Sequence, residues 1–218
     1  MDSSTILTTI FLVVLAYALG GIPTSYLFAH RRGVDLRASG SGNLGATNAS
    51  RSLGLRTGIV IGLVDIAKGV VPVLIAGSIE SIPRTSVLVV GLAAVLGHVF
   101  TPYLRPHVGG KGVATGAGVV AVLFPQLILF ALLVFFGIAF ITRYVSLASI
   151  TTFISLIPAY FLVRLYTDKS FETVEIWCLV ALLFIILYTH RANLRRLLAG
   201  TESKFKASDS KEDRGPLP

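Results

Sequence analysis

The residue types best suited to chemistry fall in four short polar blocks. The first, residues 39–48, reads Ser-Gly-Ser-Gly-Asn-Leu-Gly-Ala-Thr-Asn, and Arg51 follows it. Gly40, Gly42 and Gly45 let the backbone turn N–H groups toward an anion, and Ser41, Asn43, Thr47 and Asn48 add side-chain donors. The block also spells G-x-G-x-x-G, but a dinucleotide fingerprint must follow a strand and open a helix in a βαβ unit, and an apolar helix-length run precedes it here. A flexible linker has a similar Gly/Ser content, although linkers rarely interleave two Asn, a Thr and an Arg so densely.

The second block is Gly109-Gly110-Lys111-Gly112-Val113-Ala114-Thr115-Gly116. Lys111 stands in a glycine loop at the expected start of a short helix, where unpaired N–H groups and the positive end of the dipole favour anions. A Walker A loop is excluded, because Gly112 and not Ser or Thr follows Lys111, and Arg105 holds the place of the upstream glycine. Gly112 and Gly116 also suit close contact between helices. The third block, residues 142–149, carries Arg143 and the pair Ser146 and Ser149 on one helical face. Serines in membrane helices commonly bond their own i−4 carbonyl, so these two have a purely local alternative. In the fourth, His190 and Asn193 share a face and are followed by Arg195, Arg196, Gly200, Thr201 and Glu202. The arginines there also suit anchoring to lipid phosphates.

Arg51, Lys111, Arg143 and His190 outweigh the nearby acids, chiefly Asp35 and Glu202, so a site built from these blocks takes anions. No Ser-His-Asp order and no paired carboxylates support a hydrolase with its own nucleophile. His30 and His107 lack partners at ligand spacing, and Cys178 is the single cysteine. No metal, cofactor or internal disulfide is therefore expected. A phosphate-handling membrane enzyme and a membrane transporter of phosphate-bearing or other small anions are the two classes left.

The elements that must position these blocks are membrane helices. Of 218 residues 54% are hydrophobic and 14% charged, with a mean hydropathy of +0.79, whereas a soluble domain carries about 25% charged residues. Apolar runs at residues 5–29, 58–77, 86–104, 146–166 and 173–188 approach the roughly 20 residues a bilayer requires. Residues 113–141 form a longer run interrupted by Pro125-Gln126. Dividing it gives seven spans, two of them short, and places 15 of the 19 Lys and Arg on one face with all four blocks. The net charge of +8 then marks orientation and not nucleic-acid binding, with the N-terminus outside and the C-terminus cytoplasmic. A transporter would spread its polar groups along a path to both faces, so the one-sided clustering favours an enzyme. Asp65 and Lys68, three apart inside a span, are expected to pair and support the loops, since intramembrane charges are costly. Residues 1–200 read as a single integral-membrane catalytic domain, and residues 201–218 as a charged, disordered cytoplasmic tail.

Taken in order, the blocks GSGNLGATN with Arg51, DIAKG from Asp65, GH with GGKGVAT, RYVSLASI and HRANLRRLLAGTESKF resemble the bacterial acyl-phosphate:glycerol-3-phosphate acyltransferases, the PlsY family. The resemblance covers nearly the whole chain. It departs at Ala192, where the family usually has Glu, and at Arg105-Pro106-His107-Val108, where a Phe-Lys type is more common. It implies an all-α polytopic protein of the bacterial cytoplasmic (inner) membrane that moves an acyl group from acyl phosphate to the sn-1 hydroxyl of glycerol 3-phosphate. The products would be lysophosphatidic acid and phosphate. Partners would be these two substrates and membrane lipids, with no nucleic acid and no obligate protein partner. Ser41, Asn43, Gly45 and Arg51 are expected to hold one phosphate, and Lys111 with the amides of its loop, Gly109, Gly110 and Gly112, the other. Gly42, Thr47, Asn48, Thr115, Arg143 and Ser146 are expected as further substrate contacts. By the resemblance Ser149 or Ser146, His190 and Asn193 lie near the glycerol hydroxyl, and either His190 or a substrate phosphate takes its proton.

Overall fold

The computed structural model describes residues 1–106 and 108–205. Among them the regular structure is all helical: α1 (Ser3–Gly21), α2 (Thr24–His30), α3 (Ala46–Leu53), α4 (Leu55–Gly77), α5 (Arg84–Val99), α6 (Val113–Leu123), α7 (Pro125–Thr142), α8 (Val145–Tyr166), α9 (Thr173–Thr189) and α10 (Arg191–Leu198). Asp2 caps α1 by accepting the Thr5 N–H at 3.0 Å, which satisfies one orphan donor of the first turn. The apolar run at 113–141 is divided at Phe124, and Pro125 opens α7 as its first residue. Proline suits that position because it has no N–H to satisfy and its φ is already helical.

Helices α4, α7 and α8, and α1 taken with α2, are long and apolar enough to cross a membrane. A fifth is α9 if counted with α10, from which it is bent by 62° at His190. The short apolar helices are α5 and α6. The two halves of the divided run were expected to be short, yet α7 reaches 18 residues, about 27 Å at 1.5 Å per residue.

Glycine sets the helix contacts. A Cβ on Gly20 of α1 would lie 2.0 Å from the Ala94 carbonyl oxygen of α5, and one on Gly97 of α5 would lie 2.0 Å from the Tyr17 carbonyl oxygen of α1. Between α4 and α6 the same reciprocity links Gly69 with Thr115 and Gly118 with Ile66. Backbones can approach this closely only where no side chain intervenes. Of the two glycines expected in helix contact, Gly116 abuts the Phe153 ring of α8, and Gly112, the left-handed N-cap of α6, packs against Val95 and Val99 of α5.

Around these contacts one apolar core joins α1, α4, α5, α6, α7, α8 and α9, with Phe124 and Tyr160 among its largest buried side chains. A smaller core of Ala29, Leu36, Leu44, Ala49 and Ile61 seats the first glycine loop on α4. At the far end, Arg84 donates to the Leu123 carbonyl at 2.6 Å and pairs with Glu175 at 2.9 Å, while Glu175 also takes Tyr160 at 2.9 Å and Arg164. That cluster satisfies a carbonyl freed where α6 stops short, and it sits at the opposite end of α5, α8 and α9 from the four polar blocks.

Candidate active site

All four blocks meet in one cavity of about 490 Å³. Asn48 builds the first loop from within. Its Oδ1 accepts the Ser41 N–H at 2.9 Å, and its Nδ2 donates to the carbonyls of Leu36 and Ser39, each at 3.0 Å. Gly40 has φ +58°, and a Cβ there would lie 2.3 Å from Asn48 Oδ1. Gly42, whose N–H bonds the Ser39 carbonyl at 3.0 Å, shapes the turn without lining the cavity. Gly45 then caps α3 in extended conformation; the first N–H groups of a helix have no intrahelical partner, and Ala46 and Thr47 of its first turn line the cavity. Ser41, Asn43 and Arg51 line the same wall.

Across the cavity, Lys111 Nζ donates to Asn193 Oδ1 at 2.6 Å, and the Lys111 carbonyl accepts the Thr189 hydroxyl at 3.0 Å. Gly112, Val113 and Ala114 bring the N-terminus of α6 to the wall. Burial, partly offset by the Glu202 carboxylate and reinforced by Arg196 and Arg51, pushes the Lys111 ammonium down to about 8. His190 follows α9 and is buried. Its Nδ1 lies 2.9 Å from the Ile186 carbonyl, which can only accept, so Nδ1 carries the proton and Nε2 keeps the lone pair. Burial, and next the Lys111 charge, push this imidazole down to about 4.

The tail begins inside the site. Residues 201–205 fold back over the cavity mouth, with Phe205 N–H bonded to the Arg143 carbonyl at 2.7 Å and Arg51 reaching the Ser203 carbonyl at 3.4 Å. Glu202 accepts Asn193 Nδ2 at 2.6 Å, Ser146 Oγ at 2.7 Å and Arg196 Nε at 2.7 Å. Burial alone would raise its carboxyl, but these three donors hold it below the usual carboxylate value. In the sequence Glu202 stands both as one of the few acids beside the cationic blocks and at the start of the charged tail. Arg196 stands as one of the arginines that also suit lipid phosphates, and both residues line the cavity. The available signal was an acid just past the glycine that ends a helix bearing Asn193 and Arg196. The reading of 206–218 as tail lies outside the described residues, as does His107.

The other expected residues divide. Ser149 lines the cavity while its hydroxyl bonds the Val145 carbonyl at 2.8 Å, the local bond common in such helices. Gly109 and Gly110 lie behind Lys111 against the end of α5, and Thr115 is buried toward α4. Arg143 is exposed with φ +61°, and its carbonyl, not its guanidinium, serves the site by holding Phe205. No group of three or more His, Cys, Asp or Glu able to hold a metal exists among the described residues.

The cavity has two ends of different character. Ser41, Asn43, Arg51, Lys111, Asn193 and Arg196 make one end polar and cationic, and Val120, Leu132, Phe135, Phe136, Phe153 and Leu156 make the other apolar. Phe136 and Leu132 of α7 are also exposed on the outer surface of the helices, so the apolar end borders the lipid-facing side. A cationic head joined to an apolar slot suits an amphiphile with a phosphorylated head.

The sequence model described as glycerol-3-phosphate acyltransferase matches residues 10–200. The chain belongs to that family. A glycerol-3-phosphate acyltransferase of Geotalea daltonii is 47% identical over 197 residues, covering 90% of this chain and 97% of the relative. One from Aquifex aeolicus is 43% identical over 196 residues, covering 90% and 98%. Two crystal structures of PlsY (YgiH), described as an integral membrane glycerol 3-phosphate acyltransferase, are also similar. The glycerol 3-phosphate form has a TM-score of 0.84 at 41% identity, covering 91% of this chain and 96% of that one. The lysophosphatidic acid form has a TM-score of 0.81 at 40% identity, covering 92% and 96%. This glycerol-3-phosphate acyltransferase family member is thus an integral membrane protein of helical fold, and a transporter is not favoured.

Proposed function

We propose that this protein transfers a fatty acyl group from acyl phosphate to the sn-1 hydroxyl of glycerol 3-phosphate, giving lysophosphatidic acid and inorganic phosphate. The observation that carries the reading is the junction of a cationic, glycine-lined bowl with an apolar slot in one cavity. The acyl chain lies in the slot between α6, α7 and α8, and the two phosphoryl groups lie in the bowl. Lys111 with the α6 N-terminus binds one of them, and Ser41, Asn43 and Arg51 with the α3 N-terminus bind the other.

Acyl phosphate is already activated, and phosphate departs without an acid. The protein's task is therefore alignment and stabilisation of the developing oxyanion. The glycerol hydroxyl oxygen attacks the acyl carbon, the new C–O bond forms, and the bond from carbon to the phosphate oxygen breaks. His190 Nε2, neutral, accepts the hydroxyl hydrogen bond and orients the nucleophile. An imidazole held at about 4 is a weaker proton acceptor than a phosphate monoester, whose second pKa is about 6, so the proton leaves on substrate phosphate. Asn193, tied to both Lys111 and Glu202, holds the two halves of the bowl in register.

The catalytic unit extends through Phe205 and crosses the bacterial inner membrane seven times as α1 with α2, α4, α5, α6, α7, α8 and α9, the bowl facing the cytoplasm. Supporting this are the concentration of Lys and Arg at the bowl end and the cover that neighbouring helices give the ends of α5 and α6. Purified protein given palmitoyl phosphate and glycerol 3-phosphate, with no coenzyme A or acyl carrier protein, is expected to make lysophosphatidic acid. Absence of product together with anion flux in liposomes refutes the reading.

A further inference from the structure

Asp65 and Lys68 in the middle of α4 and His98 at the end of α5 form a buried chain of contacts, with Asp65 and His98 on the wall of the same cavity. Lys68 Nζ donates to Asp65 Oδ1 at 2.7 Å, and the two side chains are 6% and 4% exposed. The same ammonium donates to the Ile22 carbonyl at the end of α1, which also accepts the Thr24 N–H at 2.9 Å. His98 Nδ1 lies 3.8 Å from the same Asp65 oxygen. Beyond His98 comes the second glycine loop. The Gly110 N–H bonds the His98 carbonyl at 3.0 Å, and the Gly109 N–H bonds the Val99 carbonyl at 2.9 Å.

The contact between this histidine and the loop tolerates no side chain. A Cβ on Gly110 would lie 2.0 Å from His98 Nε2, and one on Gly109 would lie 2.1 Å from the His98 carbonyl oxygen. His98 therefore touches Gly110 on two sides, through its ring and through its backbone. The next residue is Lys111, and Gly112 then turns with φ +84° to open α6. Any tilt of the His98 ring shifts the floor on which Lys111 stands.

An ion pair buried this deeply is poor evidence for stability, because an apolar pair of similar volume commonly does as well. We propose that Asp65 is a positioning residue: held by Lys68, its carboxylate fixes the His98 ring beneath Gly110 and so sets the height at which Lys111 enters the bowl. This deepens the reading of Lys111 as a substrate-phosphate ligand and rests on it. The energetic logic is one of register, since an error of about 1 Å in a binding group can lower turnover by about 100-fold.

The test uses the full chain purified in detergent and carrying Asp65→Leu with Lys68→Met, which removes both charges at once and leaves neither unpaired. The measurements are the thermal midpoint, kcat and KM for both substrates, and the alkaline limb of the pH–rate profile. The expected variant unfolds at the parent's temperature, has kcat/KM lowered by about 10- to 100-fold, and has its alkaline limb moved up as Lys111 loses burial. Parent-like kcat/KM with an unmoved limb overturns the proposal and leaves the pair as scaffold. If the double variant fails to fold, His98→Gln, which keeps the ion pair, carries the test: a similar loss in kcat/KM supports the proposal and parent-like kinetics overturn it. Lys111→Met is run alongside. Parent-like activity there removes the phosphate-ligand reading itself, whereas a crippled Lys111→Met beside a parent-like Asp65 variant removes only the positioning role.

Discussion

Lys111 Nζ and Asn193 Oδ1 lie 2.6 Å apart although 82 residues separate them in the chain. Their bond joins the loop before α6 to α10, so the bowl closes only when both ends are in place. Replacing Lys111 with Met keeps most of the buried stem and removes the charge. Turnover with glycerol 3-phosphate and acyl phosphate is expected to fall by about 100-fold or more, the scale of losing one preorganised charge contact. Initial rates beside a thermal midpoint separate this from unfolding, and an unchanged rate contradicts the assignment.

The ammonium held at about 8 makes activity sensitive to alkali. Protonated Lys111 binds phosphate, so kcat/KM is expected to fall as pH rises through about 8. Glu202 opposes the fall by favouring the charged form. Glu202→Gln is therefore expected to move the alkaline limb to lower pH, and a limb that moves up or stays put shows that the carboxylate does not act on Lys111.

His190 orients and does not ionise in this account. His190→Gln is expected to lower kcat by about 10- to 100-fold, the lower range for a positioned acid–base or hydrogen-bonding group. The shape of its pH–rate profile is expected to overlay the parent's. A limb that disappears with the imidazole would make His190 the proton acceptor.

Packing of α4 on α6 depends on Gly69, where a Cβ would lie 2.1 Å from the Thr115 carbonyl oxygen. Gly69→Ala forces two backbones apart and is expected to destabilise by about 1–3 kcal/mol or more, read as a lowered thermal midpoint. Gly137→Ala on α7, with nothing within 4 Å of the new Cβ, serves as the control and is expected to keep or slightly raise the midpoint, because Ala is the better helix former.

Much of this arrangement is legible in the residues themselves. The helical class follows from long apolar runs, the break before α7 from Pro125, and the anion preference from glycine loops carrying Arg51 and Lys111. Asp65 and Lys68 declare their pairing by a three-residue spacing, and the structure places them 2.7 Å apart. What sequence spacing does not carry is how a loop folds onto a distant element. Glu202 follows a helix-ending glycine in a charged segment and reads as solvated tail, yet tertiary contacts from Ser146, Asn193 and Arg196 draw it into the bowl. Arg143 has the opposite history: its charge suggests a phosphate ligand, but a left-handed backbone turns its carbonyl to Phe205 instead. Asn48 likewise spends its amide on the loop it belongs to.

The seven crossings proposed for the chain make a prediction about sidedness. In a Cys178→Ala background, a cysteine at Ser203 is expected to react only with reagents reaching the cytoplasmic face of intact cells or vesicles. A cysteine at Ser3 is expected to react only from outside. Labelling of both from one side contradicts the proposed topology.

Direct transfer between two phosphate-bearing substrates in one bowl is tested most directly by phosphate release in a single turnover, with enzyme in excess over acyl phosphate. Without glycerol 3-phosphate the account predicts no burst of phosphate, and with it phosphate and lysophosphatidic acid appear together in equal amounts. A phosphate burst stoichiometric with enzyme before glycerol 3-phosphate is added would mean that the acyl group rests on the protein, and would contradict the account.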